Sequence, residues 1–415
     1  MSGSIKLKHA SGNGVIIAAP SSNPAADRTL TLPSDADGTI VSKDTSNNLA
    51  EIASINGGAL GTKNLVINGA MQVAQRGTSS TTGGISTVDR FSYGAASGTG
   101  DEAPTQAQAD VASGTTPYTL GFRKSYKATN GNQTSGAQAN SLQQFSARLE
   151  AQDIANSGWN YTDSNSFITL SFWVKSSVSQ NFYGFVNSTD GTSQQYPFET
   201  GTLTANTWTK ITKVIPGNSN LQFDNNNDVG LRIYLGTYFG TDYTNNSVSL
   251  NAWTAYSGSA RTPDFPSSSW FTTNDATFEL TGVQLEVGST ASSFVHELEQ
   301  ETLTKCQRYF WTAAHQLTAT QTPLLNMSQY NSTISYGVIH FPTEMRAAPT
   351  LSVTVGTSYY AGYGNNSSTT ISTFSMPRVG FNSAELSAAT ARGQGNSVFV
   401  RTNAQGAKVS FSAEI

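Results

Sequence analysis

FITLSFWVKS, residues 167–176, decides how the chain is read. Ile168, Leu170, Phe172 and Val174 fall on one side of an extended strand. Phe167, Ser171 and Trp173 fall on the other, a period of two that a helix does not produce. Similar runs recur in NLVING, NFYGFVNS, TWTKITKVIP, VGLRIYLG and ATFELTGVQLEV, with polar turns between them. Short strands at regular spacing, without helices between them, predict a β-sandwich over residues 64–295.

The composition agrees. Only 12% of the 415 residues are charged, about half the usual share, and the net charge is -4. Disorder pairs low hydrophobicity with high net charge, whereas this chain is nearly neutral and 10% aromatic. A folded β-rich protein with neutral polar surfaces is expected, a composition that suits extracellular exposure and carbohydrate contact. The single Cys306 excludes an intrachain disulfide framework. No apolar run approaches the ~18 residues of a membrane span. No long basic run exists, so no nucleic-acid partner is expected. MSGSIKLKHASGNG has no apolar h-region, so no secretory signal is expected and synthesis in a reducing cytosol follows.

Outside the sandwich the pattern changes twice. Residues 1–63 hold three short alternating pieces, SIKLKH, RTLTLP and GTIVSK, separated by turn clusters. So few apolar residues cannot build a monomeric core, so this segment is expected to pair with copies of itself or with a larger partner. Residues 296–312 read as one connecting helix. Its stripe is Val295, Leu298, Leu303, Cys306, Tyr309 and Phe310, with Glu early, Lys305 and Arg308 late, and a Glu301–Lys305 pair. That stripe needs a partner, either the adjoining domains or the same helix in sister chains. Residues 313–415 return to strand patterns in YGVIHFP, PTLSVTV, NSVFVRT and AKVSFSAEI. The expected fold class is mainly β: an N-terminal short-stranded segment, a β-sandwich, one connecting α-helix and a small C-terminal β-sandwich domain.

NLVINGAMQVAQRGTS, TVDRFSYG, SFWVKSS, VGLRIYLG and GVQLEVGSTASSFVHE together resemble the jelly-roll, carbohydrate-binding-module-like domain of bacteriophage tail fibres. ELEQETLTKCQRYFW is similar to the helix that follows it there, and FPTEMRAAPTLSV and VSFSAEI resemble the small β-domain at the fibre end. The leader resembles segments of marine and cyanobacterial phage fibres. The resemblance implies a homotrimeric virion protein, assembled in the host cytoplasm. It also implies attachment to phage tail proteins through residues 1–63, and binding of host surface polysaccharide or lipopolysaccharide during adsorption. A glycan depolymerase and a purely structural tail adaptor are the alternative roles.

Glycan binding needs flat apolar faces for sugar C–H groups and polar groups for hydroxyls. Candidates in loop-like stretches are Trp159 and Tyr161 (NSGWNYTD), Trp253 and Tyr256 (LNAWTAYSG), and Trp270 (FPSSSWFTT). In the C-terminal domain they are Tyr360 and Tyr363, beside Tyr359, in SYYAGYGNN. Trp173 and Trp208, inside strand patterns, are expected to pack. DNNNDVG places Asp224, Asn226 and Asp228 at calcium-loop spacing, but its glycine comes one place late and Leu235 stands at the twelfth position, so a polar turn is the plainer reading. No other cofactor is expected. Glycoside hydrolysis requires two carboxylates on one cleft. Glu150, Glu199, Glu279 and Glu286 are available, but Glu150 and Glu286 fall in structural motifs, so no enzyme is expected. His9, His296, His315 and His340 lack metal-ligand spacing.

Overall fold

The alternation at residues 167–176 becomes a strand in which Ile168, Leu170, Phe172 and Val174 are buried in the main core. The computed structural model describes residues 4–8, 14–18, 54–55, 58–59, 64–266 and 269–415. The chain divides into a unit of residues 1–53 and a unit of residues 54–415. In the first, β1 (Ser4–Lys8) and β2 (Gly14–Ala18) pair antiparallel, Ile5 opposite Ile17 and Leu7 opposite Val15. The strands expected in RTLTLP and GTIVSK lie outside the described residues.

The second unit begins with the short pair β3 (Ser54–Ile55) and β4 (Gly58–Ala59). The sandwich strands follow in chain order: β5 (Ser79–Ser80), β6 (Phe91–Ala96), β7 (Thr105–Asp110), β8 (Lys124–Thr129), β9 (Leu142–Glu150), β10 (Phe167–Ser176), β11 (Asn181–Ser188), β12 (Gln194–Thr202), β13 (Thr209–Pro216), β14 (Val229–Phe239), β15 (Thr254–Ala255) and β16 (Thr277–Val287). They form two six-stranded antiparallel sheets, β13-β10-β16-β8-β7-β5 and β15-β12-β11-β14-β9-β6. The chain crosses repeatedly between them, giving a jelly-roll sandwich. Aromatic rings fill the space between, including Phe145 against Tyr93 at 4.9 Å and Phe182 against Phe278 at 4.8 Å. Each such fully buried ring contributes about 1.5–3 kcal/mol relative to exposure. The β10–β16 register breaks between Ser171 and Trp173, where Gly282 adopts φ 63°. This is a glycine bulge, and a Cβ there would stand 2.7 Å from the Phe122 ring.

Two single-turn helices, α1 (Thr116–Thr119) and α2 (Ala151–Ala155), were not legible in the strand pattern. The connecting helix is shorter than residues 296–312: α3 spans Glu299–Gln307. Its predicted start is extended because Phe294 and His296 lie on Phe122, at 4.9 and 5.0 Å, over the outer face of the first sheet. Leu298 is therefore 71% exposed rather than part of a buried stripe. Glu301 does not pair with Lys305. Its carboxylate accepts the Leu298 N–H at 3.2 Å, capping the helix, and Lys305 bonds Glu297 instead. Cys306 and Tyr309 are buried against the chain's own domains.

Phe310, expected in the helix, opens the C-terminal sandwich. Its strands are β17 (Phe310–His315), β18 (Pro323–Gln329), β19 (Ile334–His340), β20 (Thr350–Val353), β21 (Tyr360–Gly364), β22 (Ser367–Ile371), β23 (Ser375–Val379), β24 (Ser383–Ala389), β25 (Ser397–Thr402) and β26 (Lys408–Ser412). A three-stranded sheet, β17-β26-β20, packs on a seven-stranded one, β22-β21-β25-β18-β19-β24-β23, around Met327, Leu386, Val398, Val400, Val409 and Phe411.

The two sandwiches meet at a charged seam. Arg76 lies over the Phe310 ring at 3.5 Å and Arg90 over Tyr309 at 3.4 Å. Arg76 bonds Asp89 at 3.2 Å and Glu414 at 3.1 Å, and Arg90 also bonds Glu414. Arg346 donates to Asn227 O at 2.9 Å and to Ala413 O at 2.8 Å.

Candidate functional site

The outer faces of the two jelly-roll sheets are treated differently. On the first, Trp173 and Trp208 pack with Val111, Tyr118, Phe122 and Phe294 into a second small core. The second sheet is covered only in part. Alternation along β14 sends Leu231, Ile233 and Leu235 inward and Arg232 and Tyr234 outward; along β9 it sends Phe145, Ala147 and Leu149 inward and Gln144, Ser146 and Arg148 outward. The register aligns the outward residues in rows. Pro197, Phe185, Tyr234, Ser146 and Ser92 lie side by side across five strands, and Gln195, Asn187, Arg232 and Arg148 form the next row.

Phe185 stacks on Tyr234 at 4.6 Å with 22° between the planes. Gly236, beside this pair, leaves room for the Phe239 ring to fold back, where a Cβ would meet it at 2.6 Å. Phe265 then packs on Phe239 and Tyr183, closing the upper part of the face. In the lower part Tyr234, Arg232 and Arg148 are partly exposed, while Phe185, Asn187 and Gln195 are buried. The ring of Tyr256, 37% exposed, stands 6.3 Å from Phe185 at one edge. At the other, Arg148 donates to the main-chain oxygen of Ile415, so the chain terminus forms the rim.

Gln195 Oε1, Arg232 Nε, Gln144 Oε1 and Arg148 Nε are buried, and find no hydrogen-bond partner among the described residues. Gln195 is 2% exposed; its amide nitrogen is tied to Ala260 O at 2.7 Å while its oxygen stays free. Buried polar atoms are seldom left unpaired, and each costs about 1–3 kcal/mol. Four of them lie on one face, around Tyr234, whose partly exposed ring stacks on the fully buried Phe185 and offers a flat surface for C–H groups.

Of the aromatic candidates singled out in the sequence, the structure brings only Tyr256 to this face. Trp159 is 3% exposed and packs with Tyr161 and Phe223 in the core, its Nε1–H bonded to Ser166 O at 3.3 Å. Trp270 is fully buried, with Nε1–H on Thr277 O at 3.0 Å, and Tyr360 is fully buried with its hydroxyl on Lys408 O at 2.7 Å. These three are packing residues: the polar loops fold Trp159 and Trp270 back onto the core, and Tyr360 opens strand β21 on the inward side of its sheet. Tyr161 is half-buried against Phe223 at 4.9 Å. Trp253 sits on Tyr196 at 5.4 Å and donates to Pro216 O at 2.7 Å, joining the edges of the two sheets. Tyr363 lies under Arg401 in the C-terminal domain, at 3.8 Å.

The calcium-like loop is held by its own bonds. Asn226 Oδ1 accepts the Asp228 N–H at 3.0 Å, and Asp224 accepts from the Gln222 amide at 2.6 Å. Among the described residues no group of three or more His, Cys, Asp or Glu side chains is placed to hold a metal ion. The four carboxylates considered for hydrolysis are each engaged. Glu150 receives Arg308 Nε–H and Nη2–H at 3.0 Å and the Tyr309 hydroxyl. Burial pushes its carboxyl up, but the hydrogen bonds from Arg308 and Tyr309 outweigh that and hold it below the usual range. Glu199 accepts from Asn181 at 2.7 Å, Glu279 pairs with Lys175 at 2.8 Å, and Glu286 accepts two bonds from Ser292.

No family model matches the chain, and no curated protein does. Solved structures of carbohydrate-binding modules are similar to it in fold. A CBM4 module is 12% identical, covering 54% of this chain and 99% of its own, with a TM-score of 0.26. The CBM22-1 xylan-binding domain from Paenibacillus barcinonensis is 13% identical, with coverages of 55% and 99% and a TM-score of 0.24. The CBM22-1–CBM22-2 tandem from the same organism is 10% identical, with coverages of 86% and 100% and a TM-score of 0.23. Superpositions this loose carry no argument about function, which rests on the residues of the face itself.

Proposed function

We propose that the chain is a non-catalytic adhesion protein that binds a surface glycan on the partly exposed outer face of the second jelly-roll sheet. One observation carries this reading: four buried, unpartnered polar atoms on Gln195, Arg232, Gln144 and Arg148 surround the Phe185–Tyr234 stack. Sugar hydroxyls would bond the exposed parts of the Arg232 and Arg148 side chains, with a ring seated on Tyr234 beside Tyr256. The nearly neutral, polar composition supports an uncharged saccharide as ligand.

The motifs that resemble phage tail fibres support a finer reading. In it the chain is a trimeric tail fibre of a virion, attached to the tail through its N-terminal segment and adsorbing to host polysaccharide or lipopolysaccharide. Linked sites in a trimer raise avidity by roughly 10²–10⁴, so a shallow face suffices. Two experiments test the parts separately. On an oligosaccharide array Tyr234→Ala should lose at least one glycan that the wild-type full chain binds, and an unchanged binding profile sinks the glycan face. Light scattering should give a trimer, and a monodisperse monomer at micromolar concentration sinks the fibre.

A further inference from the structure

The seven-stranded sheet of the C-terminal domain turns its outer face away from its own core. Its register sets Tyr363 opposite Phe399 and Phe399 opposite Asn326, a row spanning three strands and roughly 10 Å at normal strand spacing. The neighbouring row sets Ser397, Ser328 and Tyr336 side by side. Phe399 is 40% exposed, and Asn326, Ser328 and Ser397 are open to solvent. The hairpin that carries Tyr363 is bolted by Arg392, which donates to Gly362 O at 3.0 Å and Ser367 O at 2.9 Å. Arg401 lies on the Tyr363 ring with its Nε buried and unpartnered.

The chemistry of this face is the same as that of the jelly-roll face, built from different elements. Rigid rings alternate with amide and hydroxyl groups, and an unpaired guanidinium N–H points among them. Arg378 and Glu385 neutralise each other at 2.5 Å and Arg392 is engaged by main-chain carbonyls, which leaves Arg401 as the charge beside the rings. A second copy of the chain fits less well. A stable interface buries about 800 Å² per partner around an apolar centre, and here Asn326, Ser328 and Ser397 interrupt the apolar side chains.

We infer that Tyr363, Phe399 and Asn326 form a second saccharide site, for a neutral glycan chain lying across β21, β25 and β18. One chain would then grip the same polymer, or two polymers, at both sandwiches. The inference rests on the reading of the chain as a glycan binder but not on the jelly-roll face.

The test uses the full chain on an array of neutral glucan, xylan, mannan and galactan oligosaccharides, with Phe399→Ala, Asn326→Ala and Tyr234→Ala and a thermal melt of each. Phe399→Ala and Asn326→Ala should each weaken at least one glycan about ten-fold that Tyr234→Ala still binds. Asn326 is exposed and keeps the test valid if Phe399→Ala folds poorly. Wild-type binding to every glycan by both C-terminal variants overturns the site, even where Tyr234→Ala abolishes binding. Loss of binding in those variants alone keeps this site and removes the jelly-roll one. Sedimentation in which Phe399→Ala dissolves an oligomer also overturns it, assigning the face to a second copy.

Discussion

Arg76 donates to Glu414 at 3.1 Å across 338 residues of sequence, and with it ties the last residues of the chain to the start of the jelly roll. Arg90 takes the other carboxylate oxygen, and both guanidiniums are mostly buried over aromatic rings. Glu414→Ala leaves the buried Arg90 without its carboxylate partner and Arg76 with Asp89 alone. Loss of one member of a buried pair costs roughly 3–5 kcal/mol. Urea unfolding should show that loss and separate into two transitions, one per sandwich. A single transition within 1 kcal/mol of wild type would mean that the seam contributes little.

Two buried carboxyls at this seam respond to pH with opposite sign. Burial raises Asp89 from 3.8 to about 6, against the opposing pull of Arg76 and Gln75. Its contribution is full below the unfolded value and is lost as pH climbs through about 6. Wild type should therefore lose ground to Asp89→Asn between pH 4 and 6.5, by at most about 3 kcal/mol. Glu150 lies below its unfolded value, so its contribution is present above about 4.5 and lost on acidification. Melting of wild type, Asp89→Asn and Glu150→Gln across that range checks both slopes. Parallel curves would contradict them.

Trp270 and Tyr256 should separate stability from binding. Trp270→Ala empties a fully buried site and should cost about 3–5 kcal/mol, while folded molecules bind as before. Tyr256→Ala removes a ring that is 37% exposed and should change stability by less than about 1 kcal/mol, yet weaken saccharide binding several-fold. Calorimetry and titration of both variants check the pair; the reverse pattern would return Trp270 to the binding surface.

Much of the sandwich was legible because strand alternation is local. The inward set of β10 can be named from ten residues. The outward Arg232 and Tyr234 were equally present in VGLRIYLG, where Leu231, Ile233 and Leu235 mark the buried side. Their role is not legible there because rings inside strands usually pack, and one strand does not reveal whether its outer face is covered. That depends on Phe265, which reaches Tyr183 across 82 positions. Trp159 and Trp270 misled for the converse reason: short polar loops return their rings to the core. The seam was invisible, since no spacing rule links Arg76 with Glu414. The helix start was displaced because Phe294 and His296 find Phe122, a contact no helical periodicity anticipates.

Saccharide titration of the full chain beside the Arg232→Ala and Tyr234→Ala variants decides whether the outer face of the second sheet holds glycan. Both positions are partly exposed, so the variants should melt close to wild type. At least one neutral oligosaccharide should bind wild type and lose ten-fold or more in affinity in each variant. Equal affinity in all three proteins would mean that this face is not the glycan site.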